Sequence, residues 1–308
     1  MKKAVIIGGR GKVGSYLAPM LLAEGYEVTS VSRGPGGPFV KNPGWESVKR
    51  LELNRDQGDF GKKIAALEAD AVVDMICFEK AGMAALCAAL KGHAGQYLVC
   101  GSAWMHGSSG AVPVREEEGR DPLEEYGIQK SLMDYEIQRL YREENFPGTA
   151  VHPGHIVCPG DEPINPQGFK GLSAFEKLKG GEELTLPNFG METLHHVHAS
   201  DVAGVFLAAI KAGKKAYGEG FHAASERAVT LRGYAREAAG WYGKEAKLRF
   251  LPFDEWAKTV KPGEPEQTLT HILHSPSCSM EKARALLGFS PKYSSYEAIR
   301  DCLASFGL

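Results

Sequence analysis

The sequence predicts an α/β chain built on a doubly wound parallel sheet, with a smaller domain in its C-terminal part. Three observations carry this. The chain opens on a β-branched run, Ala4 to Ile7, followed at once by glycines at 8, 11 and 14 and then by an apolar pattern of helical period. Short apolar runs then alternate with helical patterns as far as residue 152, the rhythm of strand–helix–strand units. Finally, 308 residues, 43% of them hydrophobic, suffice for one large α/β domain and a smaller companion.

Composition excludes several classes of partner. A formal net charge of −2 leaves no electrostatic footprint for nucleic acid or an anionic membrane. No apolar run approaches the roughly 20 residues that span a bilayer, and glycines cut Ala4–Ile7 too short for a signal sequence. The expectation is a cytoplasmic protein with a small-molecule partner; a homodimer is left open. Cysteines 77, 87, 100, 158, 278 and 302 form no C-x-x-C pair and sit among apolar residues, so buried reduced thiols are expected. His195, His196 and His198 lack acidic or thiol neighbours and read as hydrogen-bonding residues; no metal is expected.

The opening stretch Gly8-Gly9-Arg10-Gly11-Lys12-Val13-Gly14 gives strand, glycine turn and helix in succession, the architecture of a dinucleotide site. Glycines let a pyrophosphate approach the backbone, and a helix N-terminus offers free N–H groups and a positive dipole end. The spacing G-x-x-G-x-x-G differs from the commoner G-x-G-x-x-G. Val13, Leu17, Met20 and Leu21 share a helical face, Gly25 stops the helix, and Pro19 predicts a bend near Ser15–Pro19.

Glu27–Ser32 is the second strand. At its end an acidic residue would accept from a ribose 2′-OH; here stand Ser32 and Arg33. The missing carboxylate and the phosphate-binding arginine point to NADP over NAD. A third strand lies within Trp45–Leu53 and ends in Asn54-Arg55-Asp56; Asp59 is the expected cap of a helix to about Glu68. Ala71–Ile76 is the fourth strand, Glu79–Lys91 a helix and Gln96–Cys100 the fifth strand. Ligands of such sheets bind beyond the carboxyl ends of the strands. Asp56 and Met75 are therefore added to the cofactor candidates, and Ser102 stands at a functional address. Val112–Asp121 reads as an acidic, mobile loop near the substrate mouth.

Tyr126 and Lys130 stand four apart at the start of a helix running to about Glu144, so they share a face. A tyrosine acid has a free pKa of about 10, and an ammonium beside it favours the phenolate. The pair lies 24 residues beyond Ser102 in a nucleotide-binding strand series. Thr149–His152 is the sixth strand, and Pro153 and His155 just beyond it are further cofactor candidates. Phe169–Lys179, Asp201–Lys211 capped by Ser200, Thr230–Gly240 and Ser279–Leu287 are expected helices. Phe221–Ala223 is a last strand, and Ser294 with Glu297 makes a capping box for the final helix, ended by Gly307.

Together these residues resemble an extended short-chain dehydrogenase/reductase of the NAD-dependent epimerase/dehydratase family. The matching pieces are the glycine stretch, Ser102-Ala103 with Gly107, Tyr126 with Lys130, His152-Pro153-Gly154-His155, His198 to Ala203, and Lys282-Ala283-Arg284 with Leu287 to Pro291. The resemblance implies a Rossmann domain, residues 1–160 plus about 195–225, and a small substrate domain, 161–194 and 226–308. It implies Ser102, Tyr126 and Lys130 as a catalytic triad, acting on a hydroxyl or carbonyl group of a small or sugar-like substrate. A non-catalytic NADP-binding regulator or RNA-associated protein on the same fold is the alternative. Two departures stand out. Family members usually carry arginine at His152. Sugar-nucleotide epimerases also place one at Leu194 to hold the pyrophosphate, so nucleotide diphosphate sugars are disfavoured.

Overall fold

The computed structural model describes all 308 residues. Along the chain come β1 (Lys2–Ile7), α1 (Gly14–Ala23), β2 (Tyr26–Ser32), β3 (Lys49–Glu52), α2 (Phe60–Ala65), β4 (Ala71–Asp74), α3 (Lys80–Leu90), β5 (Tyr97–Cys100), α4 (Glu125–Glu144) and β6 (Gly148–Pro153). Next are β7 (His155–Val157), α5 (Ser173–Gly180), β8 (Glu183–Pro187), β9 (Thr193–Leu194), β10 (His196–His198), α6 (Ala199–Ala212) and β11 (Glu219–Ala223). The chain ends with β12 (Val229–Thr230), α7 (Leu231–Trp241), β13 (Lys247–Leu251), α8 (Phe253–Trp256), α9 (Glu264–His274), α10 (Glu281–Leu287) and α11 (Ser295–Ala304).

Seven strands form one parallel sheet in the order β11-β6-β5-β4-β1-β2-β3. The chain winds outward from β1 to β3, then returns to β4 on the other side of β1. Such a reversal opens a crevice at the strands' carboxyl ends. Side chains of β1 alternate strictly. Ala4 and Ile6 join the core under α1 and α6, with Leu17, Leu21, Val202 and Phe206. Val5 and Ile7 join the opposite core, with Phe60, Leu86, Met133 and Ile137. Burial on both faces is why these strands read as continuous apolar runs.

Pro19 sits inside α1, and the helix nevertheless continues from Gly14 to Ala23. Proline cannot donate to the carbonyl four residues back. That carbonyl, Ser15 O, instead accepts from Asn42 Nδ2 at 2.8 Å, and Val40 N–H reaches Ser15 Oγ at 3.4 Å. The loop after β2 thus repairs the defect and docks on α1.

A separate core gathers Phe175, Leu178, Leu184, Leu186, Leu194, Leu231, Tyr234 and Ile299 from the C-terminal elements. Short pairings β10–β7, β12–β9 and β13–β8 knit this part together. The capping box of Ser294 and Glu297 is present at α11, and Thr230 Oγ1 accepts from Gly233 N–H at α7.

Several expectations are corrected. Val112–Asp121 is anchored, not mobile: Val114 N–H donates to Ser277 O at 2.7 Å and Val114 O accepts from Ser279 N–H at 2.8 Å. Glu116 and the Arg120 guanidinium are buried there, Arg120 pairing with Asp134 at 2.6 Å. The acidic composition hid partners supplied by distant segments. The Phe169–Lys179 helix starts only at Ser173, because Phe169 is core and Lys170 bridges to Ile164. Asp59 makes no side-chain cap bond and pairs with Lys63. Ser200 lies inside α6; His198 is the cap, its Nδ1 accepting from Ser200 N–H at 3.2 Å.

Candidate active site and cofactor cleft

The glycine turn follows from β1 ending against α1. Gly8 has φ +80°, and a Cβ there would stand 2.7 Å from Ile76 Cγ2. A Cβ on Gly14 would meet Gly9 O at 2.3 Å, so the turn and the first helical residue touch backbone to backbone. Gly11 differs: it is exposed, and a Cβ would meet only Gly8 O at 3.3 Å. Val13 faces the core, so only its backbone is available to a ligand. The first turn of the ten-residue α1 contains no acidic residue. The N–H groups of Lys12, Val13 and Gly14 have no backbone acceptor, so the helix entry presents free donors without a competing carboxylate.

Two clefts flank this turn. One, of about 720 Å³, is lined by Arg33, Asn54, Arg55, Asp56, Ile76 and Phe78 among others. Arg33 and Asp56 are both exposed there, and Ser32 closes β2 beside them. Met75 packs behind the turn, its N–H donating to Ile7 O at 3.0 Å. Arg10 reaches across the turn to Gly36, where a Cβ would stand 2.7 Å from its Nη1. Below the cleft Arg55 Nη1 pairs with the fully buried Asp74 at 2.6 and 2.8 Å.

The second cleft, of about 410 Å³, is lined by Lys12, Ser102, Trp104, Tyr126, Pro153 and His155, with Lys170 at its rim. Five of the sequence candidates thus converge in it. Ser102 stands two residues beyond β5 and caps a short 3₁₀ turn, its Oγ accepting from Trp104 N–H at 3.2 Å. Tyr126 enters from the first turn of α4. Gly127 permits that approach, since a Cβ there would lie 2.7 Å from Trp104 O.

Lys130 is buried below, donating to Cys77 O at 2.6 Å and Cys100 O at 2.7 Å, with its Nζ 5.5 Å from the Tyr126 ring centre. Burial lowers the Lys130 pKa. Tyr126 is 39% exposed as a residue, yet burial around its phenol and the nearby Cys100 push the pKa up to about 12. The Ser102 hydroxyl, within hydrogen-bonding reach, pulls it back. The expected depression by Lys130 is absent. Two carbonyls absorb the lysine's charge, and desolvation of the phenolate wins.

Sequence reasoning missed the imidazole and indole wall. Trp104 stacks on His274 from α9 at 4.2 Å between ring centres and meets Tyr126 edge-on at 5.9 Å. His271 lies 5.3 Å from His155. His155 Nδ1 accepts from His195 N–H at 3.3 Å, which puts the proton on Nε2, where it has no partner. The α9 histidines stand about 170 residues from Ser102 and Trp104, so no local pattern linked them to the cleft. Leu194 is fully buried in the C-terminal core and does not reach the cleft. No group of three His, Cys, Asp or Glu side chains is arranged to hold a metal ion. All six cysteines are free.

The chain is 27% identical to the chloroplast stem-loop binding protein of 41 kDa b of Arabidopsis thaliana, over 97% of this chain and 78% of that one. It is 26% identical to the 2′-dehydrokanamycin reductase of Streptomyces kanamyceticus, over 75% of this chain and 64% of that one. A putative epimerase from Burkholderia cenocepacia J2315 superposes with a TM-score of 0.77 at 23% identity, covering 100% and 99% of the two chains, and shares the fold. The family model for the NAD dependent epimerase/dehydratase family matches residues 4–222. The chain therefore belongs to the NAD-dependent epimerase/dehydratase family.

Proposed function

We propose that the chain is an NADP-linked oxidoreductase or epimerase that acts on a hydroxyl or carbonyl group of a small, sugar-like molecule through Ser102, Tyr126 and Lys130. The observation that carries this is the convergence of the two hydroxyls in one cleft over a buried lysine ammonium. At neutral pH the Tyr126 phenol holds its proton and is placed to give it to a substrate oxygen or take it back. Ser102 orients that oxygen. Lys130 has spent two of its three N–H donors on carbonyls, which leaves one for the cofactor ribose.

Residues 1–160 with about 195–225 serve as the cofactor domain in this reading, and 161–194 with 226–308 as the substrate domain. Gly8, Gly9, Gly11, Gly14 and the backbone of Val13 would hold the pyrophosphate. Arg10 and Arg33 would take a 2′-phosphate, Asp56 and Met75 would border the adenosine, and Pro153 and His155 the nicotinamide. When bound, NADP supplies hydride transfer to and from the substrate carbon. A cradle without Cβ atoms at Gly8 and Gly14 and a helix N-terminus free of acidic side chains fit such a group. Burial of Leu194 supports a substrate without a nucleotide diphosphate.

Tyr126→Phe tests the proposal, because it keeps the ring and removes the proton. Turnover of NADPH with a panel of sugar-like carbonyl compounds should fall by at least about 10²–10⁴-fold, with NADP binding unchanged. Unchanged turnover would end the assignment. The span shared with a stem-loop binding protein favours one second reading, an RNA-associated protein on this fold. The net charge of −2 opposes it. Micromolar, salt-dependent binding of stem-loop RNA, with no turnover by wild type, would favour it.

A further inference from the structure

We propose that Asp161 competes with the cofactor for Lys12, so that a strap across the cleft must release Lys12 before a dinucleotide can seat. The inference rests on reading the glycine turn as the pyrophosphate site. Lys12 belongs to that turn, where its carbonyl accepts from Ser15 Oγ at 2.8 Å. Its side chain leaves the turn and lines the same cleft as Ser102 and Tyr126. There it pairs with Asp161, which lies between β7 and α5 on the opposite wall. Lys170 donates to the same carboxylate at 3.0 and 3.1 Å.

One carboxylate therefore holds two ammonium groups, one from each side of the cleft. Their side chains are 30% (Lys12), 16% (Asp161) and 46% (Lys170) exposed, so the strap is partly shielded from water. Of the other charged groups facing the cleft, Glu162 sits on the Asp161 wall. The Asp161 main chain is fixed independently, its carbonyl accepting from the Cys302 thiol at 2.7 Å. A pyrophosphate at the α1 N-terminus brings two negative charges next to Lys12, against one on Asp161. Exchange of partner is favourable, but the broken pair reduces the cofactor's net affinity.

Three variants give a signed test. Asp161→Asn frees Lys12 and should tighten NADP binding by about 2–5-fold, the scale of a partly exposed ion pair. Lys170→Met leaves Asp161 wholly to Lys12 and should weaken NADP by a similar factor. In a Lys12→Met background both effects should vanish. Calorimetric titration of each folded variant, checked by circular dichroism, reads the result. An unchanged or weakened Asp161→Asn variant overturns the strap. Equal effects with and without Lys12 also overturn it, because they would report long-range charge alone. Should Asp161→Asn unfold, Lys170→Met, altered at an exposed side chain, carries the test. Wild type that binds neither NADP nor NAD would overturn the cofactor reading itself, and the strap with it.

Discussion

At the scale of single residues, the glycine turn separates two uses of the same side chain. Gly14 is needed by the fold: its missing Cβ admits Gly9 O at what would be 2.3 Å. Gly11 makes little such demand, and its open side is available to a ligand. Gly14→Ala should therefore destabilise the protein by about 1–3 kcal/mol, as overpacking does. Gly11→Ala should cost under about 1 kcal/mol in chemical denaturation and still weaken NADP binding. A Gly14→Ala protein as stable as wild type would contradict the contact. Arg33 gives a second prediction. It is exposed, so its removal should leave stability alone. The loss of a charged hydrogen bond is worth about 1.5–3 kcal/mol, and Arg33→Ala should lose that much NADP affinity while NAD binding is untouched. Calorimetry with both cofactors decides it; equal losses would contradict a 2′-phosphate contact.

At the scale of elements, the segment from Gly107 to Asp121 shows how burial turns an apparent loop into a fixed one. Glu116 is 3% exposed and accepts from His222 N–H at 2.8 Å. His222 Nε2 is 2.9 Å from His106 Nε2, and His106 ends the 3₁₀ turn that follows Ser102. Arg120 and His152 both bind Asp134 of α4, which holds that carboxylate well below its usual range. Burial instead raises Glu116 from 4.5 to about 7. With the folded pKa raised, Glu116 contributes stability that is full below about pH 4.5 and is lost as pH rises through 7. Glu116→Gln keeps the acceptor and removes the charge. It should make the protein more stable than wild type at pH 8, by about 2 kcal/mol, with no gain at pH 4.5. Thermal melts across that range check the sign.

At the scale of the whole molecule, histidine burial sets the acid limit. Of ten histidines, eight have pKa values lowered chiefly by burial: 106, 152, 155, 195, 196, 198, 222 and 271. The unfolded chain takes up their protons near pH 6.5, and the folded one does so only lower, at about 4 for His106 and His195. Stability from these groups is therefore present above pH 6.5 and falls as pH drops towards 4. Denaturant midpoints should fall steeply over that window, and a flat profile would contradict the burial. The substrate prediction also belongs to this scale, because it depends on how the two parts of the chain face each other. With Leu194 buried in the C-terminal core, UDP- and dTDP-sugars should give no thermal stabilisation at micromolar concentration when NADP is present.

The sequence by itself determined the sheet, its glycine turn and the neighbourhood of Ser102, Tyr126 and Lys130 at its carboxyl edge. β-branched runs, glycine spacing and a tyrosine–lysine interval are local signals, and the central strands β1, β4 and β5 read clearly because their apolar residues are buried on both faces. Helix starts were legible where the cap lies within three residues, as at Thr230 and Ser294. Tertiary structure decided the rest. Asn42 donates to the Ser15 carbonyl that Pro19 leaves free, Asp161 crosses to Lys12, and His274 stacks on Trp104; sequence separations of 27, 149 and 170 residues divide these partners. It also decided the charge on Tyr126, because desolvation depends on everything packed around the phenol. Local pattern fixes where the chain turns and what it buries, whereas proton affinity and pairing depend on neighbours that only the folded chain brings together.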